Sequence, residues 1–188
     1  MQCFLFQSAF GLIDMNPYAM KVALVLKMNG IAHQLIYQSG QNQSPTGLLP
    51  YIIDKDVVLA DSHVIVDYLR QQYGLASDHV LTEQASCEWR LLEQLCEEDL
   101  YPIIVYSRVL DPSGLKVILS NRVMATVFNS KDKVKAVQAN MQQLIDASSV
   151  SHLTQEQRYV LGIEFLRRIE CKIKEGTLWL DHRPSTFD

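Results

Sequence analysis

From Thr82 onward the chain carries no strand signal, whereas the residues before it alternate strand and helix patterns. That single change of period limits the fold to an α/β layer followed by a helical one. Cys3 to Gln7 has the short, mostly apolar form of a strand. Asn16-Pro17 follows, a cap residue and then a proline at the first helical position, where its missing N–H costs nothing. The helix they open, Tyr18 to Asn29, is apolar at Met20, Ala23, Leu24, Leu26 and Met28 and stops at Gly30. His33 to Tyr37 is a second strand, and Gln38 to Gly47 is a polar loop. Leu49-Pro50-Tyr51-Ile52-Ile53, then Asp54-Lys55-Asp56, then Val57-Val58-Leu59-Ala60 have the form of a hairpin with a polar turn and a proline at the strand entry. Asp61-Ser62 caps a helix whose inner face is Val64, Ile65, Tyr68 and Leu69, ending near Tyr73-Gly74.

The helical half opens at Thr82 with a face of Trp89, Leu92, Leu95, Cys96 and Leu100, which Pro102 is expected to interrupt. Asp111-Pro112-Ser113-Gly114 forms a turn, and a helical stretch runs across Leu115 to Ile145 with breaks that the pattern does not place. Thr154-Gln155-Glu156-Gln157 is a capping box. The helix it opens shows Val160, Leu161, Ile163, Leu166, Ile169 and Ile173 at helical spacing before Gly176. The division this suggests is an α/β domain over 1–75, a linker over 76–81 and an all-α domain over 82–188.

Composition narrows the function classes. The 188 residues are 48% hydrophobic and 20% charged, which suits a buried core and excludes a disordered chain. The net charge is −4 with no sustained basic stripe, so the phosphate attraction behind nucleic-acid binding has no source. Apolar runs such as Val22 to Leu26 fall far short of the ~20 residues of a membrane span, and Met1 to Phe6 lacks the cationic lead of a signal peptide. A soluble cytoplasmic chain is therefore expected, in which the acceptor pattern Asn42-Gln43-Ser44 stays silent. Cys3, Cys87, Cys96 and Cys171 are widely spaced, with no Cys-x-x-Cys pair and no histidine cluster, so free thiols and no metal site are expected. Ser113-Gly114-Leu115-Lys116 matches Ser-x-x-Lys without that hydrolase's companion motifs, Lys131, Lys133 and Lys135 form a solvated face, and His63 and His152 are isolated.

A β-α-β, β-β-α unit with a proline entering its third strand, followed by helices, resembles the glutathione S-transferase fold. Ser44-Pro45-Thr46-Gly47-Leu48-Leu49-Pro50-Tyr51-Ile52, Ala60-Asp61-Ser62-His63-Val64-Ile65-Val66-Asp67-Tyr68-Leu69 and Asn16-Pro17-Tyr18-Ala19-Met20-Lys21 are similar to stretches of bacterial relatives of the failed-axon-connections and metaxin group. Asp181-His182-Arg183-Pro184-Ser185-Thr186-Phe187-Asp188 resembles the family's capping segment before a central helix. The resemblance implies a thioredoxin-like N-terminal domain, an all-α C-terminal domain, a homodimer, and glutathione as co-substrate. It implies conjugation of the glutathione thiolate to a small hydrophobic electrophile, or else a non-catalytic binding module on the same scaffold.

Such a thiol has a pKa near ~8.5, and lowering it by two units requires about 2.7 kcal/mol, which one or two hydrogen-bond donors can supply. At the position where the family places its donor this chain has Asn16, which relatives often replace by Ser or Cys. An amide can donate to sulfur but forms no disulfide, which disfavours reductase chemistry. Asn16 also has a purely structural role open to it, as the cap ahead of Pro17. Tyr18 is a second candidate donor. Leu49-Pro50 is similar to the family's cis-proline, whose preceding backbone pairs with the cysteinyl unit. Asp61 and Ser62 match the pair that holds the γ-glutamyl end, Ser62 the carboxylate and Asp61, or a neighbour, the ammonium, though both also suit an ordinary helix start. Ser185-x-x-Asp188 is a capping box with no helix after it, so the 154–174 helix is expected to lack a packing partner, in a chain that is truncated or stabilised by association.

Overall fold

The computed structural model describes residues 1–38, 44–78 and 82–174, and the chain divides into two units, Met1–His79 and Val80–Asp188. The Asp181–Asp188 segment and its capping pattern lie outside the described residues, as do parts of the polar loop and of the linker.

The first unit is β1 (Gln2–Leu5), α1 (Pro17–Met28), β2 (Gln34–Tyr37), β3 (Tyr51–Asp54), β4 (Val57–Ala60) and α2 (Ser62–Tyr73). Its sheet runs β2-β1-β3-β4, with β1 parallel to β2 and antiparallel to β3, and β3 antiparallel to β4. The element order is the one the alternating pattern implied. The parallel pair needs the α1 crossover between its strands, whereas β3 and β4 join through the short turn at Lys55 and Asp56.

Not every apolar position that marked α1 as a helix turns inward. Ala19, Val22, Ala23 and Leu26 are buried, while Leu24 and Met28 are exposed. The helix is apolar on nearly every side, so periodicity alone selects no face; packing in the core chooses the i, i+3, i+4, i+7 set. In α2, Ile65, Val66 and Leu69 are buried and Val64 is exposed, with Tyr68 half-buried. These residues join Cys3, Leu5, Ile52 and Leu75 in one core.

At the far end of that unit, Asp54 is buried and accepts hydrogen bonds from the hydroxyls of Tyr73 at 2.6 Å and Tyr68 at 2.9 Å. The Tyr73 bond is the main cause holding the carboxyl below its ordinary range. A lowered folded-state pKa contributes stability that is present above the unfolded value near ~3.9 and is lost as pH falls through the folded one. Tyr73→Phe is therefore expected to lower the urea midpoint at pH 7 relative to the unmutated chain. The gap should shrink as pH drops below about 4. Midpoints measured at both ends of that range check it, and a gap independent of pH would reject the account.

The second unit contains α3 (Glu83–Leu95), α4 (Tyr101–Val105), α5 (Pro112–Ser120), α6 (Arg122–Val127), α7 (Lys131–Asp146) and α8 (Gln155–Lys174). Pro102 does not end the helical path. A π-helical turn, Cys96–Leu100, precedes it, and a second, Tyr106–Leu110, follows α4. The wider turn carries the chain past a residue that has no N–H and crowds the carbonyl four residues back. The unplaced breaks fall at Asn121 and Ser130, each an N-cap whose side chain accepts from the helix it opens.

Asp111 ends the second π turn and caps α5, accepting from the Ser113 N–H at 2.7 Å and the Gly114 N–H at 3.3 Å. Its other oxygen takes the Gln155 amide at 2.7 Å and the Tyr159 hydroxyl at 2.6 Å, tying α8 to the start of α5. The capping box of α8 is reciprocal: the Thr154 N–H donates to Gln157 Oε1 and the Gln157 N–H to Thr154 Oγ1. Along α8, Phe165 is buried, while Val160, Ile163 and Leu166 are exposed.

Candidate functional site

Strand register brings the separate candidate residues to one end of the sheet. Tyr51 lies opposite Ala60 in the β3–β4 hairpin, so Pro50 and Asp61 are the next residues out at the same end. Phe4 lies opposite Tyr51, which directs the exit of β1 toward Pro50 as well, and the two rings stack with centroids 4.2 Å apart. The connection from β1 returns to the same place to begin α1. Its cap residue Asn16 donates from Nδ2 to the Leu49 carbonyl at 3.0 Å.

Asn16 therefore has two structural partners. Its Oδ1 accepts the Tyr18 N–H at 3.0 Å, which is the capping role, while Nδ2 reaches across to Leu49. An amide nitrogen carries two hydrogens, so one N–H remains beyond the bond to Leu49. Tyr18, the second candidate, contributes its backbone N–H to this cap.

The Leu49–Pro50 peptide is cis. The Leu49 carbonyl is taken by Asn16, but among the described residues no partner is found for the Leu49 N–H. Pro50 is buried and Leu49 half-buried, so that donor sits at the margin of the core.

At the start of α2 the two residues divide the work. Asp61 is the cap: one carboxylate oxygen, Oδ1, accepts from the His63 N–H at 2.8 Å and the Val64 N–H at 3.2 Å. It holds φ at +78°, a region costly for a residue with a side chain and one that clusters at binding sites. Ser62, the first helical residue, is 3% exposed, yet neither its hydroxyl nor its N–H has a partner among the described residues. No sealed side-chain polar atom lacks a partner among the described residues, so the Ser62 hydroxyl is open to solvent and to a ligand. A hydroxyl and an N–H without internal partners at a helix N-terminus, where the dipole favours negative charge, are groups to which a carboxylate can bond.

One residue of this region went unnoticed in the sequence. Asp14 is fully buried between β1 and α1, and its carboxylate accepts from the Phe6 N–H at 2.6 Å and the Asn16 N–H at 2.8 Å. An aspartate two positions before a cap residue is the local signal for such an Asx turn, but nothing local marks the bond back to Phe6. The Cys3 thiol, buried and close to this carboxylate, is pushed up to about 12, first by burial and then by Asp14, and is no nucleophile.

A family model described as the glutathione S-transferase N-terminal domain matches residues 17–114, more than half of the chain. The chain belongs to the glutathione S-transferase family. The matched span includes Leu49, Pro50, Asp61 and Ser62 and begins one residue after Asn16. Among curated transferase relatives, the isoprene-epoxide–glutathione S-transferase of Rhodococcus sp. (strain AD45) is 34% identical over 111 residues, covering 56% of this chain and 47% of that protein. A stringent starvation protein A homolog of Pasteurella multocida (strain Pm70) is 29% identical over 94 residues, covering 46% and 44%. The chain spans about half the length of the curated relatives it matches. A solved glutathione transferase from Phanerochaete chrysosporium superposes with a TM-score of 0.60 at 17% identity, covering 99% of this chain and 79% of that one, which establishes the shared transferase fold. These matches name the transferase family rather than its narrower failed-axon-connections and metaxin group.

Proposed function

We propose that the first unit binds glutathione in extended form and that the protein transfers its thiolate to a small electrophile. The observation that carries this is Ser62, a mostly buried residue whose hydroxyl reaches solvent and whose hydroxyl and N–H have no internal partner among the described residues, at the N-terminus of α2. The γ-glutamyl carboxylate would bind there, and the Asp61 oxygen not used in capping would meet the ammonium group. The cysteinyl carbonyl would take the Leu49 N–H, which places the sulfur on the side of Asn16. The remaining Asn16 N–H donates to the thiolate and favours its ionised form.

The thiolate then attacks carbon. A C–S bond forms as the bond from that carbon to its leaving atom breaks, and for an epoxide the released alkoxide takes a proton from water. The name of the Rhodococcus relative supports an epoxide as one such electrophile. This reading implies a homodimer in the cytoplasm.

Retention on immobilised glutathione and turnover of a generic aromatic electrophile test the reading together. Asn16→Ala should keep retention and lower kcat by about tenfold to a hundredfold, the worth of one hydrogen bond to a charged group. No retention by the unmutated protein would reject the proposal. The double engagement of Asn16 favours a second reading, a glutathione-binding module without chemistry. Its signature is retention with no turnover above the uncatalysed rate.

A further inference from the structure

The connection from β1 to α1, residues 6–16, closes on itself at two levels. In its middle the Leu12 N–H donates to the Ala9 carbonyl at 2.9 Å and the Ser8 hydroxyl to the Leu12 carbonyl at 2.8 Å. Phe10 and Gly11 turn the chain with φ of +54° and +77°. At its base a single carboxylate holds both ends. Asp14 Oδ2 accepts from the Phe6 N–H where the chain leaves β1, and Oδ1 accepts from the Asn16 N–H where it enters α1. The adjacent Met15 N–H also favours the charged form of this carboxylate.

A buried ionised carboxylate is costly unless donors meet it, and here two backbone N–H groups do, one on each oxygen. Burial still pushes its pKa up, against the pull of those donors. Removing such a group from the core would be simple for a protein that needed only a loop, so its position relative to Asn16 matters. Asn16 is fixed through its backbone by Asp14 and reaches Leu49 through its side chain, which makes one hydrogen-bonded path from the carboxylate to the cis-proline.

We propose that Asp14 is a positioning residue of the thiol site, clamping the two ends of the 6–16 connection so that the Asn16 amide is held at the Leu49 carbonyl, where the ligand sulfur would lie. The proposal rests on the glutathione reading above. It requires that Asp14 act on the thiol step and not on ligand capture, which belongs to Ser62 and Leu49.

The full chain carrying Asp14→Asn tests this. The variant keeps the shape but presents an NH2 group to one of the backbone donors. Two ligands separate the roles: S-methylglutathione, which has no thiol, and glutathione, whose bound thiolate is read by its ultraviolet absorbance as a function of pH. The expected result is S-methylglutathione affinity within about threefold of the unmutated protein, with the bound thiol ionising about one pH unit higher and kcat lowered about tenfold. A bound thiol that ionises at the unmutated pH, or an S-methylglutathione affinity that falls as far as kcat, overturns the proposal.

If the variant does not fold, the Phe6 and Asn16 backbone amide resonances of the unmutated protein decide. They should move with one common midpoint as Asp14 protonates, and independent behaviour overturns the clamp. Should the unmutated protein bind neither ligand, the glutathione reading itself fails, an outcome distinct from a thiol pKa indifferent to Asp14.

Discussion

Gly114→Ala lowers the melting temperature of the helical unit by an expected 10 °C or so at the least, from a destabilisation above about 3 kcal/mol. A Cβ built at Gly114 would lie 1.6 Å from the Ser107 carbonyl oxygen and 2.8 Å from its carbon. Those are backbone atoms in the second π turn, so no rotamer change relieves the overlap; α5 has to move away from the turn it packs against. Moving it also disturbs Asp111, whose carboxylate both caps α5 and holds Gln155 and Tyr159 of α8. Gly162→Ala is the matched control. Its Cβ would meet only the Ile103 side chain, at 3.1 Å, and a helical glycine replaced by alanine gains up to about 1 kcal/mol, so the net change stays small. Thermal unfolding by circular dichroism compares the two. A Gly114→Ala protein that melts with the unmutated chain would mean that α5 does not approach Ser107 so closely in solution.

That close approach was invisible in the sequence, where Asp111-Pro112-Ser113-Gly114 has the form of a turn. The same four residues are a cap, a proline at the first helical position and the start of α5. The local chemistry of a turn and of a helix start is shared, since both use an aspartate to bind N–H groups two and three residues on. What separates them is whether apolar residues continue at helical spacing, and Leu115, Val117 and Ile118 leave that open over so short a helix. The reciprocal capping box at Thr154 was legible because its two halves lie within four residues of each other.

The same distinction governs the site. Asn16-Pro17 and Asp61-Ser62 announce helix starts through side chains that bind nearby backbone, and both appear as such. The bonds that connect them are long-range: Asn16 to Leu49 spans 33 residues. The strand pairing that places Pro50 beside Asp61 follows from the hairpin, which the polar turn at Lys55 already suggested. Sequence therefore carried the parts and their order. Which face of α1 turns inward, and that a buried Asp14 ties off the first connection, depend on contacts that no single segment encodes.

Ser62→Ala, finally, should abolish retention on glutathione while leaving the fold intact, and the two halves of that expectation have separate physical grounds. Ser62 is not the cap of α2; Asp61 is, and it keeps both of its N–H partners in the variant. Alanine fits the space of serine and the lost hydroxyl had no internal partner among the described residues, so stability should change by no more than about 0.5 kcal/mol. On the proposed reading, that hydroxyl is one of two donors to the γ-glutamyl carboxylate. A hydrogen bond to a charged group contributes about 1.5–3 kcal/mol, which corresponds to roughly a tenfold to hundredfold loss of affinity. Ser62→Thr retains the hydroxyl and should restore most of the binding. Asp61→Ala behaves differently: the cap is lost, so stability falls by about 1 kcal/mol together with affinity. Calorimetric titration with glutathione and urea unfolding of the same preparations resolve the cases. Unchanged affinity in Ser62→Ala would remove the carboxylate receptor from the site, and a lowered unfolding midpoint would mean that the hydroxyl serves the fold instead.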